Sequence, residues 1–127
     1  ATWNFHGFVT NQELMNQYKI LGVNLFMTVS QTEGLPVSVL EAFSCGIPVI
    51  ATAVGGIPEA VQEEKTGHLL ASNPTAIEVA NIVSRFWNSS TEVKEKLSGN
   101  AYEFWKSDFQ AKKNAENFCR TIQRIFK

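Results

Sequence analysis

The sequence predicts an α/β fold in which a Rossmann-like parallel sheet is flanked by helices. Two apolar runs, residues 23–29 and 47–51, indicate strands, and the first has the continuous apolar character of a strand buried on both faces. Helical patterns lie before, between and after them, and this alternation is typical of parallel sheets with right-handed crossovers. The length of 127 residues fits a single domain that covers residues 1–127.

The first part of the chain is predicted to run strand, helix, strand. Residues 1–9 hold large apolar side chains around a His-Gly pair and indicate a strand that leads into a loop. Thr10, with Glu13 three residues later, forms a capping box that opens a helix. The 23–29 strand then leads into a loop at Ser30. The apolar stripe of the intervening helix contains Leu14, Met15, Tyr18 and Leu21.

Short elements are predicted after the 47–51 strand, before the chain becomes helical. Pro58 suits the start of a helix that runs to about Glu63. Residues 68–70 indicate a short strand, which gives a sheet of about four strands. Asn73 is expected to cap a helix that begins at the next residue, Pro74.

The last third of the chain is predicted to be helical. Residues 88–90 break the first helix, and Thr91 is expected to cap a second that runs through Leu97. Residues 98–100 are either a brief interruption or part of one longer helix. A last helix is expected over residues 109–126. Its side chains at helical spacing are expected to pack in the core: Ala115, Phe118, Cys119, Ile122, Ile125 and Phe126.

Composition and charge exclude several kinds of partner. The net charge is −1, from 11 basic and 12 acidic residues, which gives no electrostatic case for nucleic acid or an anionic membrane. Cys45 and Cys119 lack metal-ligand spacing, and we expect reduced, buried thiols in a cytoplasmic protein. No apolar run reaches membrane-spanning length. No metal site is predicted, because the carboxylates near the candidate site lack His or Asp partners at ligand spacing.

The chain is organised around residues 30–50, which are predicted to form a loop, a short helix and a buried strand. Gly34 loosens the backbone of the loop. Pro36 suits the first helical position, because its fixed φ is already helical. Gly46 is placed to end the helix in a left-handed turn.

The start of this helix is predicted to bind a phosphate. The first amides of a helix have no internal partner, and since Pro36 has no N–H, the free donors are the amides of Leu35, Val37 and Ser38. They lie at the positive end of the helix dipole, an arrangement that suits an anion.

Two carboxylates border the helix start. Glu41 shares a helix face with Val37 and Ser38, and its side chain leans back toward the N-terminus. It is placed there to accept hydrogen bonds from neutral hydroxyls, such as those of a ribose. Glu33 precedes the helix and borders the same space. On spacing alone, both residues also fit ordinary surface carboxylates near a helix N-terminus.

A second loop is predicted to face the first. Gly55 and Gly56 follow a strand, and they allow either close backbone approach to a ligand or a simple turn from strand to helix. Because open parallel sheets bind ligands at the carboxyl ends of their strands, this loop and the one after Ser30 should share one crevice. His6 lies nearer to this crevice than His68, which we interpret as structural.

Four sequence blocks occur together: Glu33-Gly34-Leu35-Pro36 to Glu41, residues 42–52, Gly55-Gly56-Ile57-Pro58-Glu59-Ala60-Val61, and Thr66-Gly67-His68-Leu69-Leu70. In order and spacing they resemble the C-terminal, donor-binding domain of the retaining GT-B glycosyltransferases, the group 1 or family 4 enzymes. The resemblance is strong over residues 9–70 and looser through the helical tail.

The resemblance implies transfer of a sugar from a nucleotide-diphosphate sugar to an acceptor, with retention at the anomeric carbon. Glu33 would be the catalytic residue that contacts the donor sugar near the reacting centre, and Glu41 would hold the ribose. The helix start would hold the diphosphate, and the glycine pair would shape the floor under the sugar. No metal or other cofactor is implied. The implied donor-binding residues are Gly34, Leu35, Pro36, Val37, Ser38, Glu41, Gly55 and Gly56.

The resemblance also implies that this chain is a truncated part of a larger enzyme. In the family, an earlier strand and loop supply an Arg and a Lys for the donor phosphates, and an N-terminal domain holds the acceptor, a glycan or lipid-linked glycan. No segment here matches either part, so we expect the fragment alone to be inactive, to expose apolar surface and to self-associate. The parent enzyme is expected to make cell-surface or capsular polysaccharide or glycoconjugates, in the cytoplasm or peripherally at the inner face of the membrane.

Two other functional classes fit the sequence less well. A non-catalytic phosphate- or nucleotide-binding α/β module is the alternative, but it needs only the helix start and not Glu33, Glu41 and the glycine pair together. A receiver-like signalling domain requires clustered Asp residues at strand ends, and the only Asp in this sequence is Asp108.

Overall fold

The computed structural model describes residues 2–125. Its elements in chain order are α1 (Asn11–Ile20), β1 (Phe26–Thr28), α2 (Val37–Ser44), β2 (Val49–Thr52), α3 (Ile57–Ala60), β3 (Gly67–Leu70), α4 (Ala76–Asn88), α5 (Thr91–Asp108) and α6 (Ala111–Ile125). The strands form one parallel sheet in the order β1-β2-β3. The predicted parallel α/β fold is confirmed, although the described residues form three strands and not about four.

Strand β2 lies at the centre of the sheet, and all of its residues are buried. It corresponds to the strand predicted over residues 47–51. Val49 is paired with Gly67 of β3. Because successive side chains of a strand point to opposite faces, Val49 and Ala51 join one hydrophobic cluster and Ile50 joins another.

Helices cover both faces of the sheet. On one face Phe43 of α2 is fully buried and meets the ring of Phe104 of α5 edge-on, with ring centroids 6.0 Å apart. On the other face Phe86 of α4 and Leu97 of α5 are buried against Ile50. Full burial of one such side chain stabilises the fold by about 1.5–3 kcal/mol. These contacts fix α2, and with it the loop that precedes it.

The capping box predicted for α1 is confirmed, but the predicted start of α4 is wrong. Asn73 was expected to cap a helix from Pro74. The helix begins later because Thr75 and Glu78 form their own capping box. The Thr75 hydroxyl accepts from the Glu78 amide, and the Glu78 carboxylate accepts from the Thr75 amide at 2.7 Å.

Two other predicted boundaries shift by a few residues. Pro36 is the N-cap of α2 and not its first residue, whereas Gly46 has the predicted left-handed conformation, with φ of 68°. Helix α3 ends at Ala60 and does not reach Glu63. It ends there because the buried Thr66 hydroxyl donates to the Ala60 carbonyl oxygen at 2.8 Å and holds the following turn.

Helix α5 is continuous, which decides the alternative left open at residues 98–100. Its N-cap is Ser90, so the capping role predicted for Thr91 is wrong. The Ser90 hydroxyl accepts a hydrogen bond from an amide of the first turn. Leu97 and Ala101 are buried on either side of the expected interruption and hold the helix against the core.

The strand predicted over residues 1–9 is wrong. Residues 2–9 are irregular, and Ala1 lies outside the described residues. The side chains of Trp3 and Phe8 are 76% and 94% exposed. An extended segment becomes a strand only beside a partner, and β1 pairs only with β2 in the described part of the chain.

Strand β1 is not buried on both faces, so that part of the prediction for residues 23–29 is also wrong. Phe26 packs against the core, but Met27 is 46% exposed and Val29 is 51% exposed. The physical reason is the position of β1 at the edge of the described sheet, where its outer face lacks the cover that a central strand receives.

The core packing predicted for the last helix is wrong. No residue of α6 is buried, and Phe118 and Ile125 are each 67% exposed. Cys119 is likewise exposed and Cys45 is half-buried, so the prediction that both thiols are buried is wrong. Phe126, also predicted to pack in the core, lies outside the described residues. Helical spacing shows that one face of α6 is apolar, but it does not show that another part of the chain covers that face.

We expect Gly67→Ala to disrupt the sheet. A Cβ at Gly67 would lie 1.8 Å from the carbonyl oxygen of Val49, so the two strands must separate. The free energy of unfolding should fall by about 3 kcal/mol in chemical denaturation. Gly99→Ala is the matched control, because a Cβ there meets nothing within 4 Å and alanine favours a helix interior by about 0.5–1 kcal/mol. Equal stability of the two variants would contradict the β2–β3 register.

Candidate functional site

The loops that follow β1 and β2 touch each other at the carboxyl edge of the sheet. The Gly56 amide donates to the carbonyl oxygen of Gly34 at 3.0 Å. Gly55 has φ of 53°, and a Cβ there would lie 1.6 Å from the carbonyl oxygen of Glu33. Only glycine permits this approach. The expected meeting of the two loops therefore occurs, and it is a contact between two backbones.

Glu33 is held by a chain of hydroxyls from the ends of β1 and β2. The Ser30 hydroxyl donates to Glu33 Oε1 at 2.8 Å and lies 3.1 Å from the Thr28 hydroxyl. The fully buried Thr52 hydroxyl donates to the Ser30 carbonyl oxygen at 2.6 Å. Glu33 is half-buried, so its carboxylate has a fixed place at the loop and is not a freely rotating surface group.

The start of α2 has the free amides that the sequence predicts. The first turn is closed by a hydrogen bond from the Val39 amide to the Pro36 carbonyl oxygen at 3.1 Å. Within residues 2–125, the amides of Leu35, Val37 and Ser38 have no acceptor in the protein. The Val37 side chain is 67% exposed, so this helix end is open to solvent. It can accept an anion without displacing a protein group.

Glu41 lies on α2 and faces α1. The Asn11 amide group donates to Glu41 Oε1. Tyr18 lies about two turns further along α1, and the pKa of its hydroxyl is raised, first by burial and then by the neighbouring Glu41 and Cys45. Glu41 is half-buried between the two helices, in surroundings different from those of Glu33.

No side-chain role is predicted from the sequence for four polar residues of this region, although two of them, Ser30 and Thr52, begin the loops expected to share the crevice. Hydroxyl residues at the ends of parallel strands are a signal that could have found three of them, since these ends meet at one edge. The fourth, Asn11, is 30 residues from its partner Glu41 and gives no sequence signal. The missed residues are Asn11, Thr28, Ser30 and Thr52.

His68 has the structural surroundings expected of it, whereas His6 is exposed. His68 is buried, and its Nδ1 lies 2.9 Å from Glu63 Oε1, which also accepts from Arg85 at 2.8 Å. We assign the Nδ1 proton to the bond with Glu63, because an ionised carboxylate can only accept a hydrogen bond. The Arg85 guanidinium, which lies 2.9 Å from Nδ1, then donates to Glu63. Partial burial acts to raise the pKa of Glu63, but the hydrogen bonds from His68, the Leu69 amide and Arg85 outweigh it and hold the pKa below its ordinary value.

A groove of about 630 Å³ lies beside this edge, between β1 and α4. None of the predicted site residues lines it; its lining includes Met27, Val29, Gln31, Val79 and Val83. Over residues 2–125, no cluster of three or more His, Cys, Asp or Glu side chains is arranged to hold a metal ion. No helix in that range has the length and apolarity needed to cross a membrane.

Comparisons with known proteins identify relatives over nearly the whole chain. The chain is 30% identical over 121 residues to TuaC of Bacillus subtilis, named as a teichuronic acid biosynthesis glycosyltransferase; the match covers 95% of this chain and 30% of TuaC. The structure matches sucrose-phosphate synthase of Thermosynechococcus elongatus with a TM-score of 0.84 and 28% identity, over 97% of this chain and 30% of that protein.

A further solved structure shares the fold at lower sequence identity. HepE of Anabaena, solved in complex with UDP-glucose, matches with a TM-score of 0.70 and 22% identity, over 89% of this chain and 36% of HepE. The chain thus spans about a third of the length of the proteins that it matches. Its fold is that of the C-terminal domain of GT-B glycosyltransferases, as the sequence blocks predict.

The family is shown by a match over most of the chain. Residues 1–104 match the family described as glycosyl transferases group 1. They include all four sequence blocks and both loops of the candidate site. This chain therefore belongs to the group 1 glycosyl transferases.

Proposed function

We propose that this chain is the donor-binding part of a retaining hexosyltransferase that uses a nucleotide-diphosphate sugar. The observation that carries the proposal is the start of α2, where three free amides adjoin a carboxylate held by hydroxyls and a floor of two glycines. Membership of the family supports transferase activity. The complex of HepE with UDP-glucose supports a nucleotide sugar as the donor.

The diphosphate of the donor binds at the start of α2 in this proposal. Donation from the amides of Leu35, Val37 and Ser38, together with the helix dipole, stabilises the negative charge that grows on the diphosphate as its bond to the sugar breaks. Pro36 fixes the turn before the donor arrives, because its φ does not vary. Gly34 adds no side chain between the two loops, so the sugar lies close to the backbone of Gly55 and Gly56.

The two carboxylates contact different parts of the donor in this proposal. Glu33 lies in the loop before α2, and the Ser30 hydroxyl occupies one of its oxygens. We assign this carboxylate to the sugar, where it stabilises the positive charge that develops at the anomeric carbon. Glu41 lies one turn into α2, and we assign it to the ribose hydroxyls, which donate to it.

The rest of the enzyme binds the acceptor in this proposal. TuaC is named for teichuronic acid biosynthesis, which supports a cell-surface polysaccharide or glycoconjugate as the product and a glycan or lipid-linked glycan as the acceptor. We place the enzyme in the cytoplasm or peripherally at the inner face of the membrane. The alternative, a non-catalytic phosphate-binding module, gives no reason for the hydroxyl chain that fixes Glu33, and family membership does not favour it.

We expect Glu33→Gln and Glu41→Gln to impair the full-length enzyme in different ways. Ribose contacts are similar in the ground and transition states, so Glu41→Gln should raise KM by about one to two orders of magnitude, the effect of a lost charge-assisted hydrogen bond. Glu33 interacts more strongly as charge develops, so Glu33→Gln should mainly lower kcat. Steady-state kinetics with the sugar donor measure both constants.

The control for these variants is Glu95→Gln, which neutralises an exposed carboxylate on α5 and should leave both constants unchanged. If Glu33→Gln affects only KM and Glu41→Gln affects only kcat, the two roles are reversed. If neither variant differs from Glu95→Gln, both residues are ordinary surface carboxylates.

We also propose that the isolated 127-residue chain self-associates through α6. Its exposed apolar face contains Phe118, Ile122 and Ile125, whereas the opposite face is polar and holds Lys113 and Arg120. An exposed apolar patch of this kind favours association with a second copy. Among residues 2–125 the outer edge of β1 pairs with no strand, and this edge offers a second surface for pairing.

Phe118→Ser combined with Ile122→Ser should therefore lower the apparent mass of the isolated chain in light scattering at high concentration. Arg120→Ser is the matched control, because it changes the opposite face of α6 and should leave the mass unchanged. A parent chain that is monomeric throughout the concentration range contradicts the proposal.

A further inference from the structure

We infer that Asn11 is a positioning residue, which holds Glu41 in the orientation that receives the ribose of the donor. The contact joins the start of α1 to the second turn of α2, and its partners are 30 residues apart in the sequence. The inference rests on the ribose role proposed for Glu41. It adds a second helix, α1, to the part of the chain that forms the donor site.

The backbone that carries the Asn11 side chain is held in place by the capping box of α1. Asn11 is the first residue of α1, directly after the N-cap Thr10. The Glu13 carboxylate accepts from the Thr10 amide at 2.9 Å and from the Thr10 hydroxyl at 2.8 Å. This reciprocal box holds the first turn of the helix in place. The amide group of Asn11 therefore reaches Glu41 from a rigid position.

The contact leaves Glu41 able to bind a ribose. A carboxylate has about four lone-pair sites on its two oxygens, and Asn11 occupies one site on Oε1. The remaining sites are sufficient for the two hydroxyl donors of a ribose. Because the Asn11 amide group is neutral, it orients the carboxylate without neutralising the charge that strengthens these hydrogen bonds.

Helix α1 is held against α2 at a second point. Tyr18 lies on α1 about two turns after Asn11, is half-buried, and packs against the core cluster that contains Ala42 and Phe43 of α2. The position of Asn11 relative to α2 is therefore fixed by two turns of α1. Fixing a flexible side chain before the ligand arrives removes an entropic cost from binding, which is the physical benefit of the arrangement.

The test is a binding cycle on the full-length enzyme that carries this chain. UDP, GDP and ADP are titrated first, and the tightest of them is compared with its 2′,3′-dideoxy analogue. The parent enzyme should prefer the ribose form. Asn11→Ala should weaken binding of the ribose form by about tenfold and leave the dideoxy form unchanged, because only the ribose contacts Glu41.

Two further variants sharpen the test. Asn11→Asp places a like charge beside Glu41 and should weaken the ribose form by more than Asn11→Ala does. Gln12→Ala, on the next and exposed residue of α1, is the matched control and should leave both affinities unchanged. In steady-state kinetics Asn11→Ala should raise the donor KM while kcat stays constant.

The outcomes separate this inference from the proposal on which it rests. If Asn11→Ala weakens the ribose and dideoxy forms equally, Asn11 has only a structural role and the inference is wrong, while the role of Glu41 stands. If the parent enzyme binds both forms equally, the ribose role of Glu41 fails and the inference fails with it. Because the dideoxy form binds without Glu41, its unchanged affinity also shows that each variant is folded.

Discussion

The contact between Gly55 and the Glu33–Gly34 backbone is the constraint on which the rest of the site depends. A side chain at Gly55 would overlap the Glu33 carbonyl oxygen, and the Gly56 amide bonds to Gly34. These contacts join the loops after β1 and β2, so the start of α2 has a set position above the sheet. The burial of Phe43 fixes the other end of the same unit, because it anchors α2 to the core.

The two carboxylates of the candidate site differ because different parts of the fold hold them. Glu33 depends on hydroxyls at the strand ends, and a shift in the register of β1 and β2 would separate Thr52 from Ser30. Glu41 depends on the packing of α1 against α2. The sheet thus controls the part of the site that we assign to the sugar, and the helix layer controls the part assigned to the ribose.

Failures of the sequence predictions have a common physical origin. Periodicity identified an apolar face on α6 and apolar residues near the start of the chain, but burial requires a second surface. The described residues supply none for Phe118 or for Trp3. Boundary errors have a different origin: Asn73 and Thr75 are both good caps, and only the reciprocal bond with Glu78 favours Thr75. Such competition is decided by a few hydrogen bonds and not by composition.

The sequence by itself determined the parallel α/β fold, the central buried strand, the left-handed turn at Gly46 and the free amides at the start of α2. Each of these follows from local chemistry: apolar runs, a proline that lacks an N–H, a glycine that tolerates positive φ. Only the tertiary structure decided which polar groups meet. The bond between Asn11 and Glu41 and the hydroxyl chain from Thr52 to Glu33 join residues that are far apart in sequence. No local pattern encodes such pairs, because they exist only after the strands and helices have packed.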